Sequence, residues 1–303
     1  MSFKVTILGS GAALPTSSRN PTSQYIECNN RHILIDCGEG TQMQIRKFGI
    51  KFQRITHILI SHLHGDHFFG LVGLLSTMHL LGRDQGVTIY GPTELENIIK
   101  NQLEVSGSRI GFSLSFVHLD GKESKLIFED KMMEIHTFPL KHRIPTNGFV
   151  IKEKEKEHTL LIDLFNQDNL SLQFIHKFKK GEDVVDEDGQ LFSYKDYTSP
   201  PPPIKKYAYC SDTCYYENII EHIKDADLLY HEATFTEEHK ARAKATFHST
   251  AMDAATIASK SNVKKLILGH LSARFETPDK HLEEAKTIFQ NVKVVEDGDT
   301  FLL

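Results

Sequence analysis

One short segment of the chain combines side chains that can bind a metal ion. Residues 61–67 read Ser-His-Leu-His-Gly-Asp-His and follow an apolar run at 55–60 that predicts a strand. A strand that leads into such a loop holds the ligands rigidly at the edge of a sheet. Imidazole and carboxylate suit zinc, with iron and manganese as alternatives. The candidate ligands of this segment are His62, His64, Asp66 and His67.

Three further candidate ligands occur in the same sequence context. His142, Asp212 and His270 each come shortly after an apolar, strand-like stretch. Taken alone, each of them is more often an ordinary loop residue. Taken with the first segment, they place ligands at four strand ends, which is what a dinuclear centre needs. So many ligands cannot all reach one tetrahedral ion, and this favours two adjacent metal ions.

The elements that must position these residues alternate along the chain. Short apolar runs predict strands, and longer runs at 68–81, 250–259 and 280–289 predict helices. This order predicts an α/β fold in which large sheets are covered by helices.

Residues 152–203 interrupt the alternation. They begin with alternating Lys and Glu at 152–158 and end in the proline run 200–203, with apolar pieces between these ends. Charged stretches usually lie on a solvated surface, and consecutive prolines favour a stiff polyproline II segment. We expect one domain over 1–303 with 152–203 as an arm inserted within it.

Composition limits the class of protein. The chain has 303 residues, 40% of them hydrophobic, so it can bury a substantial core. It contains no run of eighteen apolar residues and no pattern of a signal peptide, and its four cysteines include no Cys-x-x-Cys pair. We therefore expect a cytoplasmic protein. The formal net charge of −5 argues against a nucleic-acid binder, although bound metal would supply positive charge where a phosphate must lie.

His-x-His-x-Asp-His is similar to the signature of the metallo-β-lactamase fold, and finer motifs resemble the short, homodimeric form of the ribonuclease Z family. The matches run in order from Gly9 to Phe275 and cover nearly the whole chain. The main ones are Ser18-Arg19-Asn20, Asp36-Cys37-Gly38-Glu39-Gly40-Thr41-Gln42, Lys141-His142-Arg143, Ser211-Asp212-Thr213, His231-Glu232-Ala233-Thr234, Phe247-His248-Ser249-Thr250 and Gly269-His270-Leu271-Ser272-Ala273-Arg274-Phe275.

The resemblance implies a four-layer αβ/βα fold with two zinc ions per subunit in a cleft at the sheet edges. It implies one ion held by His62, His64 and His142, a second held by Asp66, His67 and His270, and Asp212 as the bridge between them. The implied reaction is endonucleolytic: the 3′ trailer is removed from precursor tRNA, leaving a 3′-hydroxyl on the tRNA and a 5′-phosphate on the trailer.

The resemblance also implies roles for three side chains. Asp66 would accept the proton of the attacking water, and His248 would protonate or stabilise the departing 3′ oxygen. Glu232 could orient His248. The family's arm grips tRNA for the partner subunit of a homodimer. Here the arm departs from the common pattern, because residues 170–181 lack a Gly-Pro element and offer lysines instead.

Two other functions remain open from the sequence. A small-substrate metallohydrolase, such as a cyclic-nucleotide phosphodiesterase, a thioester hydrolase or a lactamase, would use the same dinuclear chemistry, since the fold does not fix the function. Such an enzyme has no need of a projecting, lysine-bearing arm. A non-enzymatic RNA-binding protein would lack metal, and the full ligand set argues against it.

Overall fold

The computed structural model describes residues 3–303. Contacts between residues divide the chain into two compact units, one made of the residues up to Lys152 together with Lys205–Leu303, and one made of Glu153–Ile204. The larger unit contains two seven-stranded sheets, and the smaller unit has its own helices and short strands.

The first sheet holds seven strands, four of which are mutually parallel. In sheet order they are β20 (Thr300–Leu302), β1 (Phe3–Gly9), β3 (Ser23–Cys28), β4 (Arg31–Ile35), β5 (His57–Leu59), β6 (Val87–Gly91) and β7 (Leu114–His118). Strands β4 to β7 are parallel, so their carboxyl ends meet at one edge. A small pair, β2 (Gly11–Ala12) with β18 (Leu271–Ser272), lies outside both large sheets.

The second sheet also combines parallel and antiparallel strands. In sheet order they are β19 (Val292–Val294), β17 (Leu266–Gly269), β16 (Leu228–Glu232), β15 (Lys206–Cys210), β10 (Thr146–Glu153), β9 (Met133–Leu140) and β8 (Lys125–Glu129). Strands β15, β16, β17 and β19 are parallel. Their carboxyl ends therefore form a second edge at which loop residues can meet.

Helices cover the outer faces of both sheets. Those of the larger unit are α1 (Thr41–Lys47), α2 (Gly65–Phe68), α3 (Leu71–Leu80), α4 (Thr93–Val105), α8 (Ile220–Ile223), α9 (Lys240–Thr246), α10 (Ala251–Lys260) and α11 (Asp279–Lys286), with 3₁₀ turns at Phe52–Arg54, Glu217–Ile219 and Glu237–His239. A capping box at Thr250 and Asp253 fixes the start of α10.

The buried side chains of the larger unit form three cores, which confirms the predicted four-layer αβ/βα arrangement. The central core joins residues of the first sheet, such as Ile33, to residues of the second, such as Tyr209. A second core lies between the first sheet and helices that include α3, and a third between the second sheet and helices that include α10. Each sheet thus buries one face against the other sheet and one face against helices.

The helix predicted over 68–81 is wrong in one respect, because two helices occupy this region. The amide of Gly70 donates to the carbonyl of Cys37, at 2.9 Å, instead of continuing the helical ladder. A Cβ atom at Gly70 would lie 2.2 Å from the carbonyl oxygen of Gly38, so only glycine permits this close approach. The break lets the loop after β4 pack beside the predicted metal-binding segment.

The smaller unit, Glu153–Ile204, has a core of its own. Its elements are β11 (Thr159–Leu160), α5 (Ile162–Gln167), α6 (Phe174–Lys179), β12 (Val184–Val185), β13 (Leu191–Phe192), α7 (Tyr194–Tyr197) and β14 (Thr198–Ser199). Phe165, Phe178, Val184 and Tyr197 are buried together, and the rings of Phe178 and Tyr197 stack 5.3 Å apart. Aromatic packing thus orders this short insertion.

None of the helices in residues 3–303 is long and apolar enough to cross a membrane.

His281 of α11 is a buried histidine that does not belong to the predicted ligands. Its side chain is fully buried, and neither ring nitrogen has a hydrogen-bond partner within residues 3–303. Burial is the main cause that lowers the pKa of His281 to about 4, and the positive charge of Arg19 is the second cause. In the unfolded chain the pKa returns to about 6.5. Between these two pH values the unfolded state binds a proton that the folded state does not. The unfolding free energy present above pH 6.5 is therefore lost progressively as the pH falls towards 4.

Replacing His281 with leucine should remove this acid sensitivity. Between pH 7 and pH 5, His281 should cost the wild-type protein about 2 kcal/mol of unfolding free energy, and the H281L variant should not show this loss. Urea unfolding of both metal-free proteins at the two pH values measures the difference. Identical pH dependence of the two proteins would show that His281 takes up its proton without unfolding.

Candidate metal centre

The structure brings the seven predicted ligand residues together at the strand ends. His62 follows β5, His142 follows β9, Asp212 follows β15 and His270 follows β17. Five of them, His64, Asp66, His142, Asp212 and His270, line a cavity of about 740 Å³, whereas His62 and His67 are fully buried. Side chains that are far apart in the sequence thus converge because the sheet edges meet.

The first group of ligand atoms consists of three imidazole nitrogens. Nε2 of His62 lies 3.0 Å from Nδ1 of His64, and Nε2 of His142 lies 3.2 Å from the same atom. Nitrogens bound tetrahedrally to one zinc at about 2.0 Å would be about 3.3 Å apart. The observed spacing therefore fits three ligands of a single ion.

The second group combines one carboxylate with two imidazoles. Oδ2 of Asp66 lies 3.6 Å from Nε2 of His67 and 3.4 Å from Nε2 of His270. Nε2 of His67 is buried and has no hydrogen-bond partner among residues 3–303. An unpartnered buried nitrogen that faces two carboxylates is suited to bind a metal ion.

Asp212 stands between the two groups. Its Oδ2 lies 3.7 Å from Nε2 of His62 and 3.8 Å from Nε2 of His142, whereas its Oδ1 lies 3.5 Å from Nε2 of His67 and 3.1 Å from Nε2 of His270. Burial alone would raise the pKa of Asp212, but the neighbouring imidazoles hold it well below its usual range. An ionised carboxylate with one oxygen towards each group is suited to bridge two cations.

Outer hydrogen bonds fix the orientation of the imidazoles. Nδ1 of His142 donates to the carbonyl of Phe247 at 2.9 Å, and Nδ1 of His67 lies 2.7 Å from the carboxylate of Asp36. Nδ1 of His270 lies 2.9 Å from the hydroxyl of Thr234. These contacts leave each Nε2 lone pair directed into the cavity, as a metal ligand requires. The residues present therefore fit a metal cofactor.

Asp36 is a site residue to which the sequence analysis gave no role. It is fully buried, has a φ of 55°, and follows β4. Its carboxylate accepts hydrogen bonds from the amide and hydroxyl of Ser61 and from the hydroxyl of Tyr209, besides contacting His67. Its position in the Asp36–Gln42 motif was the one sequence signal available. The carboxylate holds His67 and the start of the ligand segment in place.

Replacing Asp36 with asparagine should weaken metal binding without removing a ligand. The amide keeps the size of the carboxylate but loses the charge that supports His67, so affinity should fall by about 10–100-fold. Competition for zinc between the protein and a chromogenic chelator measures the change. An unchanged zinc affinity would mean that Asp36 stabilises the fold and does not support metal binding.

His248 and Glu232 form a pair at the wall of the same cavity. Nδ1 of His248 lies 2.7 Å from Oε1 of Glu232, which is fully buried at the end of β16. Burial disfavours the charged imidazole, but the carboxylates of Glu232 and Asp212 outweigh it and raise the pKa of His248 to about 9. The pair therefore presents an imidazole that can donate a proton beside the candidate ligands.

The comparisons with known proteins agree over nearly the full chain. Ribonuclease Z of Parabacteroides distasonis is 43% identical over 296 residues, covering 98% of this chain and 97% of that protein. Ribonuclease Z of Porphyromonas gingivalis (strain W83) is 42% identical over 288 residues, covering 95% of each chain. The crystal structure of the short form of human tRNase Z superposes with a TM-score of 0.71 at 30% identity, covering 98% of both chains.

Two further matches concern the fold and the N-terminal half. The metallo-β-lactamase fold protein YhfI from Bacillus subtilis superposes with a TM-score of 0.70 at 18% identity, over 100% of both chains, which shows the fold. The family model for anti-Pycsar protein Apyc1 matches residues 3–158, slightly more than half of the chain. The chain therefore belongs to the ribonuclease Z family and, through the match over residues 3–158, to the family that the Apyc1 model describes.

Proposed function

We propose that this chain is a zinc-dependent endoribonuclease that removes the 3′ trailer from precursor tRNA, leaving a 3′-hydroxyl on the tRNA and a 5′-phosphate on the trailer. The observation that carries the proposal is the position of Asp212, whose two carboxylate oxygens face two groups of candidate ligand atoms, beside the His248–Glu232 pair. Membership of the ribonuclease Z family supplies the substrate class.

The proposal assigns the ligands of two zinc ions per chain. His62, His64 and His142 would hold one ion and Asp66, His67 and His270 the other, with Asp212 shared. When bound, two zinc ions lower the pKa of a water molecule and stabilise charge on the phosphoryl oxygens. Without a bound ion, Nε2 of His67 would be buried without a hydrogen-bond partner among residues 3–303, at a cost in free energy.

Two side chains carry the proton transfers. Asp66 is the base: burial alone would raise its pKa, but the imidazoles of His67 and His270 lower it, so the carboxylate is ionised and can accept the proton of the attacking water. The amide of Ala13 donates to Asp66 at 2.8 Å and fixes its position. His248 donates a proton to the departing 3′ oxygen, and Glu232 holds the imidazole in place and keeps it protonated.

Positive side chains at the cavity give a phosphate chain its electrostatic contacts. Arg143, Arg242 and Arg274 line the cavity beyond the ligand residues. The guanidinium of Arg274 stacks over the ring of Phe235, 5.1 Å from its centroid, which holds it in one orientation. Arginine binds phosphate in a bidentate manner, so these residues favour an RNA backbone.

The insertion at 152–203 is proposed as the tRNA-binding arm of a homodimer. The unit Glu153–Ile204 contains six lysines and no arginine against eleven carboxylates, so its net charge is −5, the same as that of the whole chain. Contacts to phosphate must therefore be concentrated at Lys177, Lys179 and Lys180, at the end of α6. A cytoplasmic location belongs to the same proposal, because the substrate RNA lies inside the cell.

A comparison of two substrates tests the proposal. The zinc-loaded protein should cleave a precursor tRNA with a 3′ trailer with a kcat/KM at least about 10³-fold higher than that for a cyclic nucleotide, because only the RNA engages remote binding groups. End-labelled products should carry the stated 3′-hydroxyl and 5′-phosphate. Preference for the cyclic nucleotide, with no RNA cleavage, would favour the small-substrate phosphodiesterase instead.

A further inference from the structure

A second cavity, of about 560 Å³, adjoins the metal centre and has no part in the mechanism above. Among their lining residues the two cavities share only His248. The wall between them is built from the segments at 141–143 and 240–248, each of which contributes residues to both sides. His248 is therefore accessible from two directions: from the metal ligands and from the second cavity.

Helix α9 gives each cavity its own row of side chains. Lys240 and Lys244 line the second cavity, whereas Arg242 and Thr246 line the first. Residues four apart lie on one face of a helix, so α9 has one cationic face towards each cavity. Lys141 lines the second cavity as well, and the side chain of Lys244 is exposed. Three lysines thus line a cavity that has one carboxylate, Asp253, and one of the three, Lys240, is ion-paired with Glu237 at 2.7 Å.

Phe247 occupies a backbone position that favours glycine. It follows α9 directly, with φ of 59° in the left-handed region, and its carbonyl accepts the hydrogen bond of His142. A glycine would serve at this helix end with less strain. The chain instead places an aromatic ring there that lines the second cavity and is 37% exposed. Strain of this kind at a functional site points to a use for the side chain.

We propose that this second cavity binds the nucleotide on the 5′ side of the scissile bond, with its base against Phe247 and its phosphate near Lys141 and Lys244. The inference rests on the proposed function: His248 protonates the 3′ oxygen of that nucleotide, so its ribose must lie next to His248. Aromatic rings bind bases by stacking whatever their sequence, and ammonium groups attract the phosphate. A cavity of this size accommodates a nucleoside monophosphate.

Phe247→Gly removes the aromatic ring and keeps the backbone carbonyl, so it tests the role of the ring alone. The variant should keep or raise the melting temperature, because glycine relieves the strained φ, and keep its zinc content, because the carbonyl that supports His142 remains. Its KM for precursor tRNA should rise about tenfold through the loss of one stacked base. Phe247→Tyr, which retains a stacking ring, should stay within about twofold of the wild-type KM. An unchanged KM in Phe247→Gly would overturn the proposal.

Lys244→Gln tests the phosphate contact. It also keeps the proposed nucleotide site testable if Phe247→Gly loses zinc. The KM should rise severalfold, and its dependence on salt should weaken by about one counterion. Lys286→Gln is the matched control, since Lys286 is an exposed lysine on α11 that lines neither cavity. If Lys244→Gln and Lys286→Gln changed KM equally, Lys244 would act only as a general surface charge. That result would contradict the proposed nucleotide site.

Cys214 provides a binding readout that does not depend on activity. It lines the second cavity and is partly exposed, whereas Cys28, Cys37 and Cys210 are buried. Burial raises the pKa of the Cys214 thiol, so labelling with iodoacetamide is best done at mildly alkaline pH. A tRNA that ends at the nucleotide before the cut should slow the labelling of Cys214 at least about fivefold, and a trailer oligonucleotide should not.

The outcomes distinguish this inference from the proposed function. If wild-type protein fails to cleave precursor tRNA, the function itself is wrong. If it cleaves the tRNA, but the tRNA product leaves Cys214 unprotected and Phe247→Gly keeps its KM, the function stands and the nucleotide site is wrong.

Discussion

Asp212→Ala is expected to lose both zinc ions and to slow cleavage of precursor tRNA by roughly 10³-fold or more, because several kcal/mol of transition-state stabilisation disappear with the metals. The reason is the position of Asp212, whose two oxygens face the two groups of ligand atoms. Metal content measured by mass spectrometry should fall from two ions per chain to less than one.

His64→Ala is the matched comparison for Asp212→Ala. His64 belongs to the first group of ligand atoms and not to the second, so its loss should leave one ion per chain. If Asp212→Ala retained two ions, or if His64→Ala lost both, the assignment of a shared carboxylate between two separate ligand sets would be wrong.

His248→Ala is expected to lower kcat for precursor tRNA by about 10²–10⁴-fold while leaving zinc content unchanged. The reason is the protonated imidazole held by Glu232 at 2.7 Å, which supplies the proton that the departing 3′ oxygen needs. Single-turnover cleavage with saturating enzyme measures the chemical step directly.

A substrate with a better leaving group tests this role of His248. Bis(p-nitrophenyl) phosphate releases p-nitrophenolate, which departs without a proton, so His248→Ala should hydrolyse it within a fewfold of the wild-type rate. Equal loss on both substrates would show that His248 supports the structure of the centre instead of protonating the leaving group. On precursor tRNA, the cleavage rate of Glu232→Gln should lie between the rate of the wild-type protein and the rate of His248→Ala.

The sequence predicted an α/β fold with helix-covered sheets, and the convergence of the candidate ligands, for a physical reason. Each candidate follows an apolar strand, and the carboxyl ends of parallel strands meet at one edge, so the context of His142, Asp212 and His270 carried three-dimensional information. Their roles as ligands stay a proposal until metal is measured. The four-layer arrangement followed from the resemblance and is seen in the packing of both sheets.

Features that depend on close approach of distant segments were not predictable. The break after α2 arises because Gly70 contacts the loop at Gly38. The hydrophobic periodicity of one segment gives no information about a contact with a distant loop. The orienting role of Asp36 depends on its meeting His67 and Tyr209 across three elements. The left-handed backbone of Phe247 was also hidden, since a phenylalanine gives no local signal of positive φ.

The most direct test of the central claim is to map the cut that the zinc-loaded protein makes in a precursor tRNA with a 3′ trailer, beside the variant Asp66→Ala. The account predicts one cut at the 3′ end of the mature tRNA in the wild-type reaction and none in the variant. Cuts scattered along the RNA, or a cut that persists when Asp66 is replaced, would contradict a metal-centred tRNA 3′-processing enzyme.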